Sequence, residues 1–278
     1  MRKSTIHIFI NLLIVIVLSV SNMFVSCTES VTLELKGVSP QIVVDASIPE
    51  ADFAVVRITK TVDFNTLNNF PPVSGATVKL MDGNGFTETL TEITPGYYHS
   101  STIKGIPGYN YKLTVEIEGL MMYSEEVMPK SVMINTLRAR EVELPEGPIV
   151  DRIFDYPRTE VIVTYNDIKG EENYYRFIEY INGKQTKNHL FDDRFNDGKV
   201  VKSFLLDFKR RLTVGDTLVV EMQSITKEAY GYLFGFSLMN ALPQGTTPSN
   251  PVSNISGTKL GYFSAYTFYR DTLVVEEL

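Results

Sequence analysis

The strongest nucleophile in this 278-residue sequence is a thiol, and there is one of them, Cys27. Its position says which chemistry the thiol meets. Arg2 and Lys3 open the chain, Ile8–Phe9–Ile10 and Leu12 to Leu18 follow as an apolar run, and Phe24–Val25–Ser26 leads into the cysteine. A positive start, an apolar core and a small residue at the boundary make a secretory signal peptide. A cysteine at that boundary reads as a bacterial lipoprotein signal, with Phe24 standing where a leucine is usual. Residues 1–26 would then be removed and the Cys27 thiol acylated. Two or three acyl chains, at ~0.8 kcal/mol per buried methylene, hold a domain on a membrane. A transmembrane anchor needs about 20 apolar residues, and Ile8 to Val25 is broken by Asn11, Ser19, Ser21 and Asn22. The remaining alternative is ordinary secretion with a chance cysteine. Disulfide-stabilised extracellular proteins carry cysteines in pairs, and this one does not.

Other reactive groups form weaker patterns. After the signal leaves, His99 and His189 remain, far apart and without an evident partner, and zinc needs three or four ligands at workable spacing. Asp192–Asp193–Arg194–Phe195–Asn196–Asp197–Gly198 gathers hard oxygen ligands. Phe195 interrupts the alternating ligand register of a calcium loop, however, and the closing bidentate Glu is missing. The Asp192–Asp197 turn therefore reads as a solvated hairpin turn, with a weak ion site as the alternative. Ser101–Thr102–Ile103–Lys104 matches Ser-x-x-Lys, a four-residue pattern that recurs by chance. Gly235–Phe236–Ser237 lacks the second glycine of a nucleophile elbow. Glu125–Glu126, Glu171–Glu172 and Glu276–Glu277 read as solvated charges, although remote carboxylate pairs can do glycosidase chemistry. Tyr262, Phe263 and Tyr266 are either core or a partner or ligand surface. No catalytic residue, metal site or cofactor is expected.

The net charge is −7, and the signal removes two bases and no acid. So acidic a chain does not suit a phosphate-tracking nucleic-acid surface. Hydrophobic residues make up 44% and aromatics 11%, enough for a core.

The elements that must position these residues are short strands. Ala76 to Leu80 and Tyr109 to Ile117 alternate with period two, Ala54 to Thr59 is β-branched and Met121 to Tyr123 returns as a hairpin partner, between turns such as Asp82–Gly83–Asn84–Gly85 and Pro95–Gly96. An acidic, proline-punctuated connection follows. Strands resume at Val161–Tyr165, Tyr174–Ile181, Val200–Phe208, Thr217–Ser224 and Thr267–Val275. Tyr230, Leu233, Phe234 and Leu238 fall at helical spacing, with Glu228 early and Pro243 beyond the end, which predicts a helix near 226–240 that buries those four side chains. The organisation expected is a signal peptide over 1–26, a lipidated tether over 27–40 and a β-domain over 41–128. A connection over 129–158 then leads to a second β-domain over 159–278. The fold class is mainly β, two β-sandwich-like domains with one helix in the second.

Several motifs together resemble a known family. They are Val43–Val44–Asp45–Ala46, Pro72 to Val78, Gly96–Tyr97–Tyr98, Gly108 to Leu113, Asn173–Tyr174–Tyr175, Phe191–Asp192–Asp193, Gly215–Asp216, Asn250 to Ile255 and Leu260 to Tyr266. In order, they are similar to the domain-of-unknown-function family 4249, outer-membrane lipoproteins of Bacteroidetes. That resemblance implies an accessory substrate-capture or gating subunit of a TonB-dependent transporter in nutrient uptake, held on the outer membrane by its lipid, with the leaflet open. A surface adhesin or an assembly protein is the alternative, and an enzyme using scattered carboxylates a third. The first half also looks immunoglobulin-like or carboxypeptidase-regulatory-like, a fold analogy only. Asp216–Thr217–Leu218 and Asp271–Thr272–Leu273 resemble O-glycosylation sites of that phylum, and equally read as strand starts.

Overall fold

The computed structural model describes residues 39–62, 70–142, 158–207, 212–241, 250–258 and 260–277. Cys27, the signal peptide and nearly all of the tether lie outside them, as do residues 143–157 of the 129–158 connection and Pro243.

Alternating burial makes the strands. In β1 (Ile42–Pro49), Ile42, Val44, Ala46 and Ile48 face one way into a core, and Val43, Asp45 and Ser47 face the other. β2 (Phe53–Lys60) repeats the pattern with Ala54, Val56 and Ile58 inward. The first half continues as β3 (Thr77–Met81), β4 (Thr87–Thr89), β5 (Thr91–Thr94), β6 (Tyr97–Lys104), β7 (Asn110–Ile117) and β8 (Leu120–Val127). The second half has β9 (Ile134–Val142), β10 (Arg158–Asn166), β11 (Tyr174–Ile181), β12 (Lys184–Asp192), β13 (Val200–Leu205) and β14 (Thr217–Ile225). Helix α1 (Lys227–Ala241) and the long β15 (Gly261–Val274) complete it. The hairpin β11–β12 turns on Asn182 and Gly183, both with positive φ, as a type I′ turn requires.

One eight-stranded sheet, in the order β12-β11-β14-β15-β1-β2-β6-β5, runs the length of the fold. A four-stranded sheet, β4-β3-β7-β8, and a three-stranded sheet, β13-β10-β9, complete two sandwiches with it. Two apolar clusters follow. One joins Val44, Ile58, Tyr98, Tyr111, Leu113 and Phe263. The other joins Val161, Tyr165, Tyr175, Phe177, Leu218 and Met222. Among the described residues the fold is thus mainly β, with two sandwich cores and one helix.

The last strand departs from the division into 41–128 and 159–278. The start of β15 pairs parallel with β1, Tyr262 opposite Asp45, and puts Phe263 and Ala265 into the first core. Its end pairs antiparallel with β14, and Tyr269 and Leu273 pack on the second. The parallel join depends on Gly261, at φ 94°, where an added Cβ would lie 2.0 Å from the Val44 carbonyl oxygen. The Asn250-to-Ile255 motif stitches this strand down. Asn254 Nδ2 donates to the Phe263 carbonyl at 2.7 Å, and Asn254 Oδ1 accepts from the Phe263 N–H at 2.9 Å.

Helix α1 starts at its predicted place, with Thr226 Oγ1 accepting from the Ala229 N–H at 3.2 Å as a cap. Its burial differs from the prediction. Ala229 is fully buried and Tyr230 and Leu233 are half-buried, but Phe234 and Leu238 are exposed. The helix is apolar on nearly every side, so spacing alone could not say which side is covered. Phe234→Ala is therefore expected to cost under ~1 kcal/mol in chemical denaturation, the range of surface changes, and not the several kcal/mol of a core truncation.

Candidate functional site

The outward face of the long sheet carries an unusual row. Register places Tyr262 of β15 beside Asp45 of β1, Asp45 beside Arg57 of β2, and Arg57 beside Tyr97 of β6. All four stand on the face opposite the first core, because their inward neighbours Phe263, Val44, Val56 and Tyr98 belong to it. An acid and a base thus sit side by side between two tyrosines.

Helix α1 covers one end of this row. Tyr232 stacks on Tyr262, centroids 4.7 Å apart and planes at 17°. Between helix and sheet lies a cleft of about 570 Å³, lined by Val43, Asp45, Arg57, Phe70, Leu233 and Phe236 together with the two stacked rings. Neither the Asp45 nor the Arg57 side chain makes a hydrogen bond or ion pair among the described residues. The Arg57 guanidinium lies 5.7 Å from the centre of the Tyr97 ring, and its Nε is buried with no hydrogen-bond partner. Burial raises the Asp45 carboxyl above its ordinary range, and Arg57 pulls it partway back. Unspent charge in an apolar, aromatic cleft is what a ligand site offers.

Of the aromatic run, then, Tyr262 lines this cleft. Phe263 is core, at 1% exposure. Tyr266 is half-buried on the same outward face, its hydroxyl pushed up to about 12 by burial, with Glu221 adding to it. None of the three is exposed. Beside Tyr266 the sheet carries two buried polar side chains, Glu221 and Gln223, joined to the exposed Arg270. Arg270 Nε donates to Glu221 Oε2 at 2.7 Å, and Gln223 Nε2 donates to Glu221 Oε1 at 2.5 Å.

The other sequence candidates fall elsewhere. In the Asp192–Asp197 turn, Asp193 and Asp197 meet Asp167, with one carboxylate oxygen from each lying within 4.8 Å of the others. Asp167 came from 25 residues upstream of the turn and was not legible. These carboxylates accept from the Tyr175 hydroxyl (2.6 Å) and from the N–H groups of Gly198 (2.9 Å), Asn173 (3.0 Å) and Gly170 (2.6 Å). Burial, with help from Asp167 and Asp197, raises the Asp193 carboxyl. The arrangement is a hydrogen-bonded turn whose oxygens could also meet a hard cation.

His189 is not partnerless: its Nε2 lies 2.5 Å from Oε1 of Glu179, which is fully buried, across the β11–β12 hairpin. Ser101 donates its hydroxyl to Glu88 at 2.8 Å, while the Lys104 ammonium sits 4.5 Å from the Phe53 ring centre, so the two are not a nucleophile and its base. Ser237 lies inside α1 and donates to the Phe234 carbonyl at 2.7 Å.

The Glu125–Glu126 pair is not two solvated charges. Glu125 is exposed, whereas Glu126 is 3% exposed, and burial pushes its carboxyl up to about 7. Its Oε1 accepts from Asn254 Nδ2 at 2.5 Å, and its Oε2 is buried with no close hydrogen bond among the described residues. Period two puts successive side chains on opposite faces, and that signal could have separated them.

The sequence from 28 to 272 matches a family model described as a domain of unknown function, DUF4249. No curated protein matches. Among solved structures, a segment of two fibronectin type-III domains from chicken tenascin aligns at 11% identity, covering 66% of this chain and 90% of that one. Its TM-score of 0.23 is too low for that likeness to carry an argument.

Proposed function

The chain belongs to the DUF4249 family, and from that premise we propose that it is a non-enzymatic outer-membrane lipoprotein that captures a small ligand for a TonB-dependent transporter. The observation that carries the capture reading is the cleft under α1, where Asp45 and Arg57 stand between aromatic rings with no side-chain hydrogen bond or ion pair among the described residues. The anchoring reading rests on Cys27 and the apolar segment before it. The transporter reading is supported by Phe234, Phe236 and Leu238, apolar side chains that α1 leaves exposed, since an exposed apolar patch marks a partner surface.

Capture is tested on the full-length protein in detergent. It is incubated with the small-molecule fraction of spent growth medium and examined by native mass spectrometry. A retained small molecule is expected, lost in Phe236→Asp, which puts a charge at the cleft. The same molecule retained by both proteins, or by neither, contradicts capture at this place.

Anchoring has its own test. Cys27→Ala is expected to move the protein from the membrane to the soluble fraction, or to leave it unprocessed, and to abolish metabolic labelling by an alkyne fatty acid. Equal labelling of the variant and the natural protein would rule out lipidation at Cys27.

A further inference from the structure

We propose that the cleft takes a free α-amino acid with an apolar side chain, its ammonium on Asp45 and its carboxylate on Arg57. The inference rests on the capture reading above and narrows it to a ligand class. Three observations carry it. First, the site holds one anion and one cation, adjacent in register on the same face, and no ion pair joins them. A ligand with a single charge would answer only one of these two half-buried groups, and a charge left unanswered there is costly. A zwitterion whose two charges are separated by one carbon satisfies both groups together.

Second, Arg57 is suited to a carboxylate. A guanidinium presents a planar fork of donors that matches two carboxylate oxygens. The Tyr97 ring beside it braces the side chain without consuming a donor, and Nε has no hydrogen-bond partner among the described residues.

Third, the rest of the cleft asks for an apolar body. Phe70, Leu233 and Phe236 line it with the stacked Tyr232 and Tyr262 rings. A volume of about 570 Å³ lies in the ordinary range for small-ligand sites.

The sequence has no tryptophan, so Phe236→Trp places a lone fluorescent reporter at an exposed position in the cleft. The full-length variant is titrated with L-phenylalanine, phenethylamine and 3-phenylpropionate, the last two each lacking one charge. Saturable change with L-phenylalanine is expected, with each analogue weaker by about tenfold or more, the value of one hydrogen bond to a charged group. Asp45→Asn should erase the advantage over 3-phenylpropionate, and Arg57→Met the advantage over phenethylamine, at unchanged melting temperature. If all three probes bind equally, the cleft holds apolar ligands without reading charge: the amino-acid inference falls and the capture reading stands. If none binds while native mass spectrometry still shows a retained molecule, the inference falls alone. If neither experiment finds a ligand, both fall.

Discussion

Phe263→Ala is expected to cost about 3–5 kcal/mol, the range for truncating a fully buried phenylalanine. Phe263 packs into the first core at 1% exposure, and both its backbone groups are bonded to the Asn254 side chain. The same strand ends in the second core, so loosening its start is not a local event. At roughly 2–4 °C per kcal/mol for a chain of this size, the melting temperature should drop by about 10 °C. The check is thermal and urea unfolding of the variant beside the natural protein. A loss below ~1 kcal/mol would mean that Phe263 is a surface residue and that β15 does not close the first sandwich.

The second large effect is on pH dependence. In the folded protein the Glu126 carboxyl sits at about 7, while its ordinary value is 4.5, and burial is the main cause. The fold therefore holds the Glu126 proton more tightly than the unfolded chain does. Stability from this group is full below about 4.5 and is lost as pH rises toward and through 7, by roughly 3 kcal/mol in total. Glu126→Gln keeps the size and an acceptor for Asn254 but cannot ionise. The variant should be more stable than the natural protein at pH 8 and lack this part of the pH slope. Urea unfolding at pH 5 and pH 8 on both proteins checks it. A difference between them that does not change with pH would mean that Glu126 is solvated.

Much of the fold is legible because local chemistry decides it. Asn182–Gly183 forms the turn its residues demand, and Thr226 with Glu228 starts the helix where period 3.6 begins. What was not legible is long-range pairing. Nothing in Leu260 to Tyr266 says that its neighbour is β1, over 200 residues earlier, and so the sequence reads as two separate domains. The candidate site depends on that pairing: Asp45, Arg57, Tyr97 and Tyr262 become one row only when four strands are in register. The same holds for Asp167, brought to Asp193 and Asp197 by the fold. The burial of α1 misleads for a different reason. Phe234, Phe236 and Leu238 spread apolar side chains over nearly every side of the helix, so amphipathic reasoning had little contrast to work with.

The proposed place of this protein beside a transporter, through α1, is open to direct experiment. Its most direct test is affinity purification of the tagged, full-length protein from detergent-solubilised outer membranes. Phe234→Ser/Leu238→Ser is run in parallel, with melting temperatures for both proteins. A TonB-dependent transporter is expected to co-elute at near-equal amount with the natural protein, and to be depleted several-fold with the double variant at similar melting temperature. No transporter enriched above an unrelated tagged lipoprotein, or equal enrichment by both proteins, would contradict it.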